Sequence, residues 1–203
     1  MADIIRSRDK NQHELMAAFK KITDRIKKTK RASFLSPITI TLGDEFQSIP
    51  MGLSESIDII FDIEEAIILS QSDFKLRYTL VKGEVDTPIN TKSAHEMMGS
   101  GLTRARQCLE ILKKRRQRFE IHTGDPTRDD ALNNSFVVFQ ALIDGWRLKD
   151  HDLIGNFIRH MDYKIVADKM GKTRSQIWKR EKTLMIKEYF ALKKTIAYIG
   201  GQK

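Results

Sequence analysis

The chain has 203 residues, 40% apolar and 31% charged, enough for one or two packed domains and too apolar for a disordered tail. No apolar run approaches membrane-span length, no secretory segment follows the start, and the lone Cys108 excludes a disulfide framework or a thiolate metal cluster; a cytoplasmic setting is the expectation. The net charge of +9 is concentrated at one end: residues 169–203 hold ten Lys or Arg against Glu181 and Glu188, a balance of +8, which points to a polyanionic partner. With no lipidation motif, nucleic acid suits that end better than a membrane.

The stretch from Met1 to Arg8 is short, apolar and β-branched, and predicts an opening strand with Asp3 on it. A carboxylate there is costly to bury unless a cation or donor meets it, though a charged, frayed terminus would also explain it. From His13 to about Arg31 the spacing of Leu15, Phe19, Ile22 and Ile26 predicts an amphipathic helix with a basic outer face. Ile38, Ile40 and Leu42 alternate with threonines and run into Gly43-Asp44, a hairpin signal that leaves Asp44 and Glu45 at a strand end. Such a pair of carboxylates suits a divalent cation; Gly-Asp as plain turn chemistry is the simpler alternative.

A second helix is expected over Ser54 to Ser70, with Ile57, Ile60, Phe61 and Ile67 buried and Asp58, Asp62, Glu64 and Glu65 solvated. A strand follows within Asp73 to Glu84. Ser93 and Glu96 have capping-box spacing and predict a short helical turn. A helix resumes at Leu102 and ends in the basic run Lys113 to Arg118, which suits the helix dipole. Phe119 to Thr123 reads as the last strand.

The order strand, helix, hairpin, helix, strand, helix, strand predicts an α+β domain of the ferredoxin-like or palm kind over residues 1–124, with Gly124 to Asp130 as a linker. Beyond it an all-helical domain is expected over 125–203: helices along Leu132 to Trp146, Leu153 to Ile158, Tyr163 to Met170, and Thr173 to about Lys194.

Within that helical part, Val166, Ala167, Met170, Gly171, Thr173 and Ile177 have the pattern of a helix-turn-helix: a small residue at the crossing, a glycine in the turn, a capping Thr, and apolar residues where the helices pack. An ordinary helical hairpin is the plainer alternative. The motif resembles region 4 of sigma factors. By that resemblance Thr173, Arg174, Ser175, Gln176, Lys179 and Arg180 would face DNA, with Arg and Gln suited to base edges and Lys and Thr to phosphates.

The stretches Ala2 to Arg8, Ile40 to Gln47 and Arg104-Ala105-Arg106, together with the C-terminal motif, resemble the SatD family, a bacterial group, over nearly the whole chain. Members usually carry a few more residues ahead of the first Asp, so the first strand is expected to be short here. The first domain is more distantly similar to class III nucleotidyl cyclases. That likeness implies a metal-binding pair at Asp3 and Asp44 for Mg²⁺ or Mn²⁺, a charge-neutralising Arg106, and a homodimer. Thr103 stands where the cyclases have an Asn. The resulting expectation is a DNA-binding protein of transcription regulation whose palm-like domain binds a nucleotide or divalent metal. The alternative is a metal-dependent nucleotidyl cyclase or nucleotidyltransferase acting on a nucleoside triphosphate.

Overall fold

The computed structural model describes residues 1–5 and 12–202; the expected strand residues Arg6 to Arg8 lie outside the described residues. Five strands, β1 (Ala2–Ile4), β2 (Phe34–Ile40), β3 (Glu45–Pro50), β4 (Leu76–Val81) and β5 (Phe119–His122), form one sheet in the order β2-β3-β1-β4-β5. Adjacent strands among β2, β3, β1 and β4 pair antiparallel, and β5 joins β4 in parallel. With α1 (Gln12–Thr29) after β1 and α2 (Leu53–Leu69) after β3, this is the ferredoxin-like split βαβ arrangement that the order of elements predicts, extended by one strand. The fold is α+β, with a helical C-terminal part.

Alternation decides what each strand gives to the core. Ala2 and Ile4 of β1 point with Phe46, Leu76 and Tyr78 into a layer closed by Phe19 of α1 and by Ile57, Ile60, Phe61 and Ile67 of α2. The opposite face is crossed by α3 (Ser100–Lys113), which buries Ala105, Leu109 and Leu112. Glycine permits α3 to start against β4: a Cβ added at Gly83 would lie 2.4 Å from the Cα of Gly101.

Four sequence expectations are corrected. Glu64 is not solvated: it is 6% exposed and takes hydrogen bonds from Tyr78 and Arg118, while Glu65 takes one from Tyr189. Residues 126–130 are not linker. They are the first turn of α4 (Pro126–Asp144), which Asp125 caps by accepting from the backbone N–H groups of Thr127 and Arg128. Ser93 to Glu96 is irregular, with Glu96 at φ 59°, because Asn90 Oδ1 takes the Lys92 and Ser93 N–H groups into a side-chain turn. The helix expected over Thr173 to Lys194 is two, α7 (Arg174–Thr183) and α8 (Ile186–Gly201), separated by Met185 in the left-handed region at φ 53°. Leu184 and Ile186 are both buried at the break, and Trp146 donates through Nε1 to the Leu184 carbonyl. Between α4 and α7 lie α5 (His151–His160) and α6 (Tyr163–Met170).

Helix α8 returns to pack on α2 and α4. One buried cluster runs from Ala2 to Ile196.

Candidate functional site

The face of the sheet under α3 carries the charges. The register sets Asp3 beside Glu45 on one side and Arg77 on the other, so all three point away from the α1/α2 core. Asp3 Oδ2 accepts from Arg77 Nη1 at 3.3 Å, and Lys113 Nζ on α3 stands 3.9 Å away. Oδ1 of Asp3 is buried and meets no hydrogen-bond donor. Burial pushes the Asp3 carboxyl up to about 6; Arg77 and Lys113 pull against that shift, and the negative charge of Asp44 adds to it.

Asp44 is half-buried in the tight turn after Gly43, whose φ of 73° is left-handed. Its carbonyl accepts from the Ile4 N–H at 2.9 Å, which ties the turn to β1. Asp3 and Asp44 are therefore near neighbours, as the sequence reading expects. Arg106 goes elsewhere: it pairs with the carboxylate of Glu45, which is 3% exposed. Thr103, one turn earlier on α3, is exposed.

Two acidic donors and a buried, partnerless oxygen fit part of a cation site. Among the described residues no group of three or more His, Cys, Asp or Glu is gathered in a ligating arrangement. Glu45, paired with Asp44 in the sequence as a cation-binding carboxylate at an exposed strand end, is instead buried against Arg106; the parts that Arg77 and Lys113 play beside Asp3 are not anticipated. Each is a charge at an alternating strand position or a helix end, but only the strand register brings them to Asp3.

The second candidate surface is α6, its turn and α7. Gly171 adopts φ 61° at the end of α6, and Thr173 caps α7 through a reciprocal box: its hydroxyl accepts from the Gln176 N–H while Gln176 Oε1 accepts from the Thr173 N–H. Val166, Ala167 and Ile177 are buried where the two helices cross. Ser175 and Lys179 are exposed on the side of α7 opposite Ile177; Arg174 is exposed in the first turn, with Nη2 3.9 Å from Asp168 Oδ2 on α6, and Trp178 is exposed with the Lys182 Nζ 3.8 Å from its ring centre. Of the six residues expected to face DNA, Thr173 and Gln176 have polar groups engaged in the cap. Arg180 is ion-paired to Asp150 at 2.6 Å, which ties α7 to the body.

The elements define a class first: a ferredoxin-like α+β sheet with a charged face, carrying helices that include a helix-turn-helix. The chain belongs to the SatD family, whose family model matches residues 1–199. Comparison with curated proteins and with solved structures gives no significant match. No helix among the described residues is long and apolar enough to cross a membrane.

Proposed function

We propose that this protein is a DNA-binding regulator in which α7 lies against DNA and the charged sheet face answers to a nucleotide or divalent cation. The observation that carries the reading is the division of α7 into two faces. Ile177 is 3% exposed and holds the helix on α6, while Ser175 and Lys179 are exposed on the opposite side and Arg174 is exposed at the start of the helix. These side chains lie within the segment 169–203, whose balance is +8, and that excess of positive charge favours a polyanionic partner. Arg174 is suited to base edges and Lys179 to phosphate. A single unit of this kind binds weakly, so a homodimer is part of the proposal. The test is a mobility shift with a random-sequence duplex, comparing the chain with an Arg174→Ala, Lys179→Ala double variant. Retention is expected to fall in the variant; undiminished binding refutes the reading.

A second reading, metal-dependent nucleotidyl transfer, is favoured by one observation, the partnerless Asp3 Oδ1. Asp3 and Asp44 would hold Mg²⁺ or Mn²⁺, which would polarise a phosphate and activate an attacking oxygen. Arg106, paired with Glu45, would have to leave that partner to meet a phosphate. Incubation with each nucleoside triphosphate and either metal, with Asp44→Ala as control, separates the two readings. Product that depends on Asp44 supports transfer.

A further inference from the structure

Helix α1 carries a second basic segment, far in sequence from α7. Residues 20–31 hold seven Lys or Arg against Asp24, a balance of +6. Beside the +8 of residues 169–203, this leaves the remainder of the chain net acidic. The helix spends its apolar side on the core, where Leu15, Phe19, Ile22 and Ile26 are buried. At about 100° per residue, Lys21 and Lys28 then point away from that side, with Lys20 and Arg25 flanking them. Arg31 follows in the short helical turn after α1. All five are exposed.

Neighbours do not consume these charges. Lys30, just past the helix, pairs with Asp62 of α2 at 2.9 Å. Among the described residues, Lys20, Lys21, Arg25, Lys28 and Arg31 enter no ion pair. Like charges also sit side by side: Lys21 and Arg25 are four residues apart, and Arg25 and Lys28 three. The helix dipole favours Lys27 and Lys28 in the last turn, but Lys20 and Lys21 lie mid-helix.

The chemistry of the face selects the kind of polyanion. No large apolar side chain is exposed on α1. The helix therefore has nothing to insert into a bilayer, as an interfacial helix would, and no ring on which a single strand could stack a base. Lysines are compact charges on flexible stems, suited to phosphate oxygens. From Lys20 to Arg31 the row is about 16 Å long, about half a turn of duplex.

We propose that the outer face of α1 is a second DNA surface, which lies along the phosphate backbone of a duplex and holds it without reading its sequence. The choice of DNA as the polyanion rests on the DNA-binding reading above; the surface itself makes no use of α7.

The test uses the full chain, a labelled random-sequence duplex and anisotropy over a range of potassium chloride concentrations. The variant is Lys21→Gln, Arg25→Gln, Lys28→Gln, which keeps the helix because Gln matches Lys and Arg in helix propensity. Its affinity should fall about tenfold or more, and the slope of log association constant against log salt should flatten by about 0.9 for each phosphate released, up to about 2.7. A second duplex of unrelated sequence should lose affinity by the same factor. The double variant Arg174→Ala, Lys179→Ala runs alongside. Loss there, with affinity and slope unchanged in the α1 variant, overturns this proposal and leaves the α7 reading in place. Loss in the α1 variant alone supports it and refutes the α7 reading. No binding to either duplex at low salt overturns both. Vesicles of phosphatidylcholine and phosphatidylserine form the last arm: capture that the α1 variant loses, with its duplex binding unaltered, would make the face a membrane contact and overturn the assignment to DNA.

Discussion

Replacing Arg118 with Met removes the residue that ties the sheet to two of its helices. Arg118 is 2% exposed. Its Nε donates to the Leu76 carbonyl at 2.8 Å, Nη1 to Asp144 at 2.7 Å, and Nη2 to Glu64 at 2.6 Å. Glu64 also accepts from the Tyr78 hydroxyl at 2.8 Å, and burial beside that carboxylate holds the tyrosine pKa well above its usual value. Without the guanidinium, Glu64 is a buried negative charge with one neutral donor. Breaking such a pair from one side costs about 3–5 kcal/mol, against a total stability of about 5–15 kcal/mol for a folded domain. Urea unfolding followed by circular dichroism at pH 7 is expected to show that destabilisation for Arg118→Met. The double variant Arg118→Met, Glu64→Leu should be more stable than the sum of its single variants by about 1–3 kcal/mol, because the stranded charge is gone. An Arg118→Met effect under about 1 kcal/mol, or strict additivity in the double variant, refutes the role given to this network.

Gly101→Ala would place a Cβ 2.7 Å from the backbone carbon of Gly83; a melting temperature lowered by an amount equivalent to about 1–3 kcal/mol is expected, and an unchanged melt would contradict the close approach of α3 to β4. Thr173→Ala removes the hydroxyl half of the α7 capping box and should cost about 1 kcal/mol in urea unfolding. His151 has a buried, partnerless Nδ1, and burial holds its pKa below the usual histidine value despite Asp73 and Asp150. The unfolded chain therefore takes the proton more readily, so this residue's contribution is intact above the unfolded pKa of about 6.5 and lost as pH falls below it. Melting curves between pH 7 and about 5 should steepen in that direction for the native chain and flatten for His151→Gln.

Much of this fold is legible because its signals are local. The spacing of Leu15, Phe19, Ile22 and Ile26 marks α1, and all four are buried; Gly43-Asp44 marks the β2–β3 turn, and Gly43 is left-handed there. The parts that are not legible depend on partners far away in sequence. Glu64 reads as one more acid on a solvated helix face until Arg118, 54 residues later, is seen to meet it. The break at Met185 lies inside a sequence with no Gly or Pro; it is fixed by Trp146 reaching the Leu184 carbonyl. The site shows the same divide. Asp3 and Asp44 are readable from the strand and the turn, whereas Arg106, matched by resemblance to a phosphate, meets Glu45 instead, a pairing that depends on how α3 lies over the sheet.

The salt dependence of DNA binding tests the role of α7 most directly. The logarithm of the association constant, measured by anisotropy on a labelled duplex, should fall linearly with the logarithm of the potassium chloride concentration. Removing one side chain that neutralises a phosphate should reduce that slope by about 0.9. Arg174→Ala with Lys179→Ala should weaken binding and flatten the line, by up to about 1.8 if both side chains meet phosphates. An identical slope and affinity in the double variant would put the DNA-binding surface elsewhere on the protein and contradict the DNA-facing role of α7.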